Sequence, residues 1–84
     1  MKYTVLELQT RAQAAFVEGD FVAVRLEDGR EIRFPVSANR RLREGTPAQR
    51  AKIEIICNGT GLHWPDLDED LSILGILEGR LGPG

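Results

Sequence analysis

Cysteine, histidine, tryptophan, tyrosine and methionine each occur once in this chain of 84 residues. With Cys57 alone, neither an internal disulfide nor a CxxC metal site can form. With His63 alone, a multi-histidine zinc centre is excluded, and any nucleophile has a single imidazole to call on as base. Long hydrophobic runs are also missing: nothing approaches the ~18 apolar residues that cross a membrane as a helix. The opening "MKYTVLELQT" carries acidic and polar residues where a signal peptide would be apolar. A soluble protein of the reducing cytoplasm is expected. Neither sign of charge dominates, since 11 Lys and Arg stand against 13 Asp and Glu, a formal net of -2. Bulk coating of nucleic acid is therefore not the default expectation.

The length suits one domain with one modest core, spanning residues 1–84 with its core over about 11–79 and a fraying tail at 80–84. The clearest local signal is "FVAVRLEDGREIRFPV", two runs of period-two alternation around Asp28-Gly29. A three-residue loop with Gly29 in the left-handed position sets Val24 opposite Ile32 and Val22 opposite Phe34 on one face, with Arg25 opposite Glu31 on the other. The two-residue alternative mixes apolar and charged residues and is disfavoured. Upstream, "AAFV" offers a strand that turns at Glu18-Gly19-Asp20 into this hairpin, making a meander. Tyr3 to Leu8 suits a strand or a short helix equally.

Two short helices are expected next. Ser37 is available as the N-cap of "SANRRLREG" and Gly45 as its stop. In "TPAQRAK", Thr46 and Gln49 have capping-box spacing, with Pro47 at the first helical position and an end near Lys52. "IEIICNGTGLHW" reads as a hairpin turning at Asn58-Gly59, pairing Ile55 with Leu62, Ile53 with Trp64 and Glu54 with His63. Pro65 ends it. Leu67, Leu71 and Leu74 then fall at helical spacing, predicting a helix over 68–78 that covers the sheet and stops at Gly79, with Gly75 calling for close packing or a bend. The fold class is α+β: a meander, short helices, a hairpin and a C-terminal helix packed on the sheet.

"HWPDLDEDLS" concentrates groups able to do chemistry. Asp66, Asp68 and Asp70 imitate the first half of a calcium loop, but Leu71 occupies the glycine position and Leu77 that of the bidentate glutamate. Capping the last helix is the plainer role for these acids. His63 reads as a paired surface residue and Trp64 as core; Cys57 has no positive neighbour in sequence to activate it. Gly59-Thr60-Gly61 lacks the lysine of a phosphate loop. No catalytic, cofactor-binding or metal-ligating residue is assigned, and no enzyme is expected. Charge is split along the chain: Arg40, Arg41, Arg43, Arg50 and Lys52 against Glu44 give +4, while Asp66, Asp68, Glu69, Asp70 and Glu78 against Arg80 give -4. The candidate partner-binding residues are accordingly Trp64, Asp66, Asp68, Glu69, Asp70, Arg40, Arg41 and Arg43.

At "LEDGREIRFPV", "RRL", "TPAQR" and "GLHWPDLDEDLSILGILEG" the chain resembles a family of small bacterial proteins, the domain of unknown function 2442 family, over about residues 11–79. The resemblance implies a compact α+β domain, often encoded beside a second small protein in a toxin-antitoxin-like arrangement, with no established catalytic residues. Similar sequences tend to carry an aromatic residue and a proline before the Arg-Leu pair, where this chain has "VSANRRL". Some relatives append a helix-turn-helix domain that is not expected here, so inference of DNA binding from the family is weak. The function expected is that of a non-enzymatic protein-binding module, antitoxin-like, whose partner is a small protein encoded nearby. Self-association is a further expectation. The alternative is a nucleic-acid-binding accessory protein using Arg40, Arg41, Arg43 and Arg50.

Overall fold

The structure, a computed structural model, describes residues 10–82. The segment 3–8, open to either reading, lies outside them. Two antiparallel three-stranded meanders share one core. The first comprises β1 (Ala12–Glu18), β2 (Phe21–Leu26) and β3 (Glu31–Pro35). Its central hairpin has the expected register, Val24 opposite Ile32, Val22 opposite Phe34 and Arg25 opposite Glu31. Gly29 adopts φ 95°, a conformation strained for any residue with a side chain, and its N–H donates to Leu26 O at 3.0 Å. Val22, Val24 and Leu26 face inward and are fully buried.

After β3 the chain takes a single 3-10 turn, Val36–Ala38, before α1 (Arg40–Glu44) and α2 (Pro47–Ala51). The capping box on α2 is present in full, with Thr46 and Gln49 exchanging side-chain-to-backbone hydrogen bonds. Gly45 closes α1 as expected. Its N-cap is not Ser37 but Asn39, whose Oδ1 accepts from Leu42 N–H at 3.0 Å. Ser37 is spent inside the 3-10 turn, and the extended backbone a cap requires falls two residues later.

The second meander comprises β4 (Glu54–Ile56), β5 (Gly61–Trp64) and β6 (Glu69–Ser72), in that order. Ile55 pairs with Leu62 and Glu54 with His63, so the Asn58-Gly59 turn sets the expected register. Cys57 joins Asn58 and Gly59 at positive φ, 53°, 56° and 91°. The helix expected over 68–78 is largely replaced. Residues 65–68 form a hairpin loop, 69–72 form β6, and only Ile73–Leu77 are helical, as α3. Both periods fit this stretch, because Leu67, Leu71 and Leu74 follow helical spacing while Glu69, Leu71 and Ile73 follow period two. The strand wins because β5 is a buried central strand whose second edge needs partners for its N–H and C=O groups. Leu71 fills that edge opposite Leu62, and Glu69 opposite Trp64.

α3 begins at Ser72, whose Oγ accepts from Gly75 N–H at 2.8 Å, and its first turn holds no acidic residue. The acids therefore do not cap this helix. It ends in a Schellman arrangement: Arg80 N–H donates to Gly75 O and Gly79 N–H to Ile76 O, with Gly79 at φ 82°. The chain beyond it is not wholly free, since Leu81 packs on the core. That core joins Val22, Val24, Leu26 and Phe34 of the first meander to Leu62, Trp64 and Leu71 of the second, with Leu42, Ile73 and Ile76 closing the ends.

Candidate binding surface

The two charged blocks meet within one molecule. Lys52 Nζ lies 3.0 Å from Asp66 Oδ2, and Arg41 Nη1 donates to Asp68 O and stands 3.8 Å from its Oδ2. Arg40 is joined to Glu44 one helical turn away, Nε to Oε1 at 3.5 Å. The hairpin loop permits this because Asp68 takes φ 51°, a left-handed conformation that Asp tolerates better than most residues, leaving its side chain 98% exposed beside α1. Surface pairs of this kind contribute little to stability, about 0–1 kcal/mol each, but they occupy the charges that form them. An open hollow on this seam, lined by Arg41, Glu44, Gly45, Gln49, Asp66, Leu67 and Asp68, is correspondingly self-neutralised.

Arg43 and Arg50 differ. Neither has a carboxylate within ion-pair distance among the described residues. Arg43 Nη1 donates to Ser37 O at 3.0 Å, and Arg50 Nη1 donates to Leu42 O at 3.0 Å and to Gly45 O. Backbone carbonyls at the end of α1 thus hold Arg50 in place. Both arginines line a second hollow of about 290 Å³, together with Asp20, Val36 and Ser37. Sequence reasoning did not bring Asp20 to this place; it lies in the β1–β2 turn, and its carbonyl accepts from Val36 N–H at 2.8 Å.

Two of the residues singled out as contact candidates are withdrawn into the interior. Trp64 is 0% exposed and its Nε1–H donates to Arg50 O at 3.0 Å, so it serves the core and cannot meet a partner. Glu69 is buried as well. Its Oε2 accepts from Asn39 Nδ2 at 2.8 Å and its Oε1 from Asp70 N–H at 3.0 Å, while Asn39 Nδ2 also donates to Leu81 O at 2.7 Å. Asn39, fully buried, ties α1, β6 and the C-terminal segment together. Its signal in the sequence was its place three residues before Leu42.

On the open face of the second meander, Glu54, His63 and Asp70 form one cross-strand row, with His63 in the middle. His63 Nδ1 contacts Asp70 Oδ1 directly. That hydrogen bond, opposed by partial desolvation and aided by the charges of Asp70, Glu54 and Asp68, raises the imidazole above its ordinary pKa. Among the described residues no group of three His, Cys, Asp or Glu side chains is placed to hold a metal ion. Cys57 is free and exposed at the tip of its turn.

Fold and surface together define a small α+β domain in which two meanders flank one core and carry a partly self-paired charged surface. The chain belongs to the DUF2442 family, described as proteins of unknown function, whose model matches residues 12–82. Two solved structures are similar to it. A protein of unknown function from Rhodospirillum rubrum shares 35% identity with a TM-score of 0.82, over 89% of this chain and 93% of that one. An uncharacterized protein from Chromobacterium violaceum shares 29% identity with a TM-score of 0.76, over 88% of this chain and 70% of that one. None of the curated proteins compared with the chain matches it.

Proposed function

We propose that the protein is a non-enzymatic protein-binding module that meets its partner over the basic segment between Arg40 and Lys52. One observation carries this reading. Arg40, Arg41 and Lys52 have carboxylates of their own, whereas Arg43 and Arg50 sit together without one among the described residues. Guanidinium groups held in place by backbone carbonyls lose little freedom on binding, which favours recognition of an external group. The imidazole of His63 is compatible with the same reading, because it is engaged by Asp70 on the sheet face. The antitoxin-like role in a two-protein pair rests on the family resemblance alone. Nucleic acid is the less favoured partner, since tracking a duplex takes several phosphate contacts, ~6–10 in strong binders, and two uncommitted arginines supply few.

Co-expression of the tagged chain with the product of the neighbouring gene, followed by mass determination of what elutes, tests the proposal. A stoichiometric complex that R43Q weakens is the expected outcome. A chain that elutes alone, or a complex indifferent to Arg43, would overturn it.

A further inference from the structure

We propose that the hollow between Arg43 and Arg50 is a carboxylate-receiving pocket, filled by an acidic side chain of the partner protein; this rests on the reading of that face as the binding surface. The walls are Arg43, Arg50, Ser37, Val36 and Asp20, around about 290 Å³. Each guanidinium carries five N–H donors, and only one nitrogen of each is engaged, by Ser37 O for Arg43 and by Leu42 O and Gly45 O for Arg50. Those bonds fix the two planes and leave the remaining donors without a protein acceptor among the described residues. A planar oxyanion taking two or more of them is the matching ligand, because arginine's fork suits carboxylate geometry.

Asp20 decides which oxyanion. Asp20 is among the lining residues, so the residues around the pocket carry two positive charges and one negative, and a single added negative charge neutralises them. A phosphate monoester, near -2 at neutral pH, would exceed that and stand against Asp20. A nucleic-acid strand would bring further phosphates against a chain of net charge -2. Val36, mostly buried, offers an apolar wall for the methylenes of a Glu or Asp side chain.

The test is a titration of the full-length, isotope-labelled chain with sodium acetate, inorganic phosphate and sodium chloride at matched ionic strength, following the arginine Nε–H resonances. Acetate should shift those of Arg43 and Arg50 saturably and chloride should not. R43Q should weaken acetate binding by about tenfold or more, as expected for loss of a charge-assisted hydrogen bond. D20N removes the opposing charge and should tighten it. Acetate shifts no larger than those of chloride, undiminished binding in R43Q, or weaker binding in D20N would each overturn the pocket. Phosphate binding tighter than acetate would overturn the carboxylate assignment. D20N keeps the test decisive if R43Q folds poorly. No partner is used, so this result stands apart from the co-expression outcome.

Discussion

Asn39 uses its whole side chain: the oxygen caps α1, and the amide nitrogen serves both Glu69 and Leu81. Alanine at this position should cost about 2–4 kcal/mol in urea unfolding, because it removes a cap and leaves a buried carboxylate short of a donor. His63 gives a second expectation at this scale. Its folded pKa lies above the usual imidazole value, so the Asp70 contact stabilises the fold fully at pH below that usual value. The contribution is lost as pH rises through the folded value. Unfolding free energy measured between about pH 5 and 8 should therefore carry a downward component that D70N removes. An unchanged pH profile in D70N would count against the contact. Asn39 was hard to recognise beforehand because Ser37 offers equally good cap chemistry at nearly the same place. His63 was correctly set opposite Glu54, but its partner on the other side depended on a strand that helical spacing concealed.

The hairpins were legible because turn chemistry and alternation agreed: Asp28-Gly29 and Asn58-Gly59 each have the register their flanking residues demand. The capping box of α2 was equally clear, being local in sequence. β6 was not, since its identity depends on Leu62, His63 and Trp64 across the ladder, and no local pattern contains that fact. The same displacement changed the candidate surface, turning Glu69 from a helix-start acid into a buried partner of Asn39 and putting Asp66 and Asp68 in reach of Lys52 and Arg41. Within α3, Gly75 is needed for space. A Cβ there would sit 2.7 Å from Ser72 Oγ and 3.4 Å from Arg80 O. Helix propensity alone would favour alanine by up to ~1 kcal/mol. Yet Ser72 can yield only by giving up its bond to Gly75 N–H, so G75A should lower stability by about 1–2 kcal/mol, read from the thermal midpoint. A rise in the midpoint would show that the cap dispenses with this contact.

At the scale of the whole molecule, the two meanders depend on one another because their inner faces form a single cluster. The clearest probe is the segment that follows α3. A stop after Gly79 removes Leu81, which packs on the core and accepts from Asn39. Hydrogen exchange should then quicken in α1 and β6 as well as near the cut. Loss of protection confined to residues beside the new terminus would contradict that coupling. The reason is one of timing as much as of energy. A ribosome delivers the first meander early, and its hairpins can close from their own turns as they emerge. The buried amide of Asn39, however, must wait for residue 81 before both of its nitrogen-borne hydrogen bonds are made. Until the second meander has been made the inner face of the first sheet therefore lacks its cover, and the Asn39 bonds are complete only once residue 81 is present. A chain interrupted just before Leu81 would hold that cover less firmly and open more readily to chaperones and proteases, although every buried core residue from Ala12 to Ile76 had already been made.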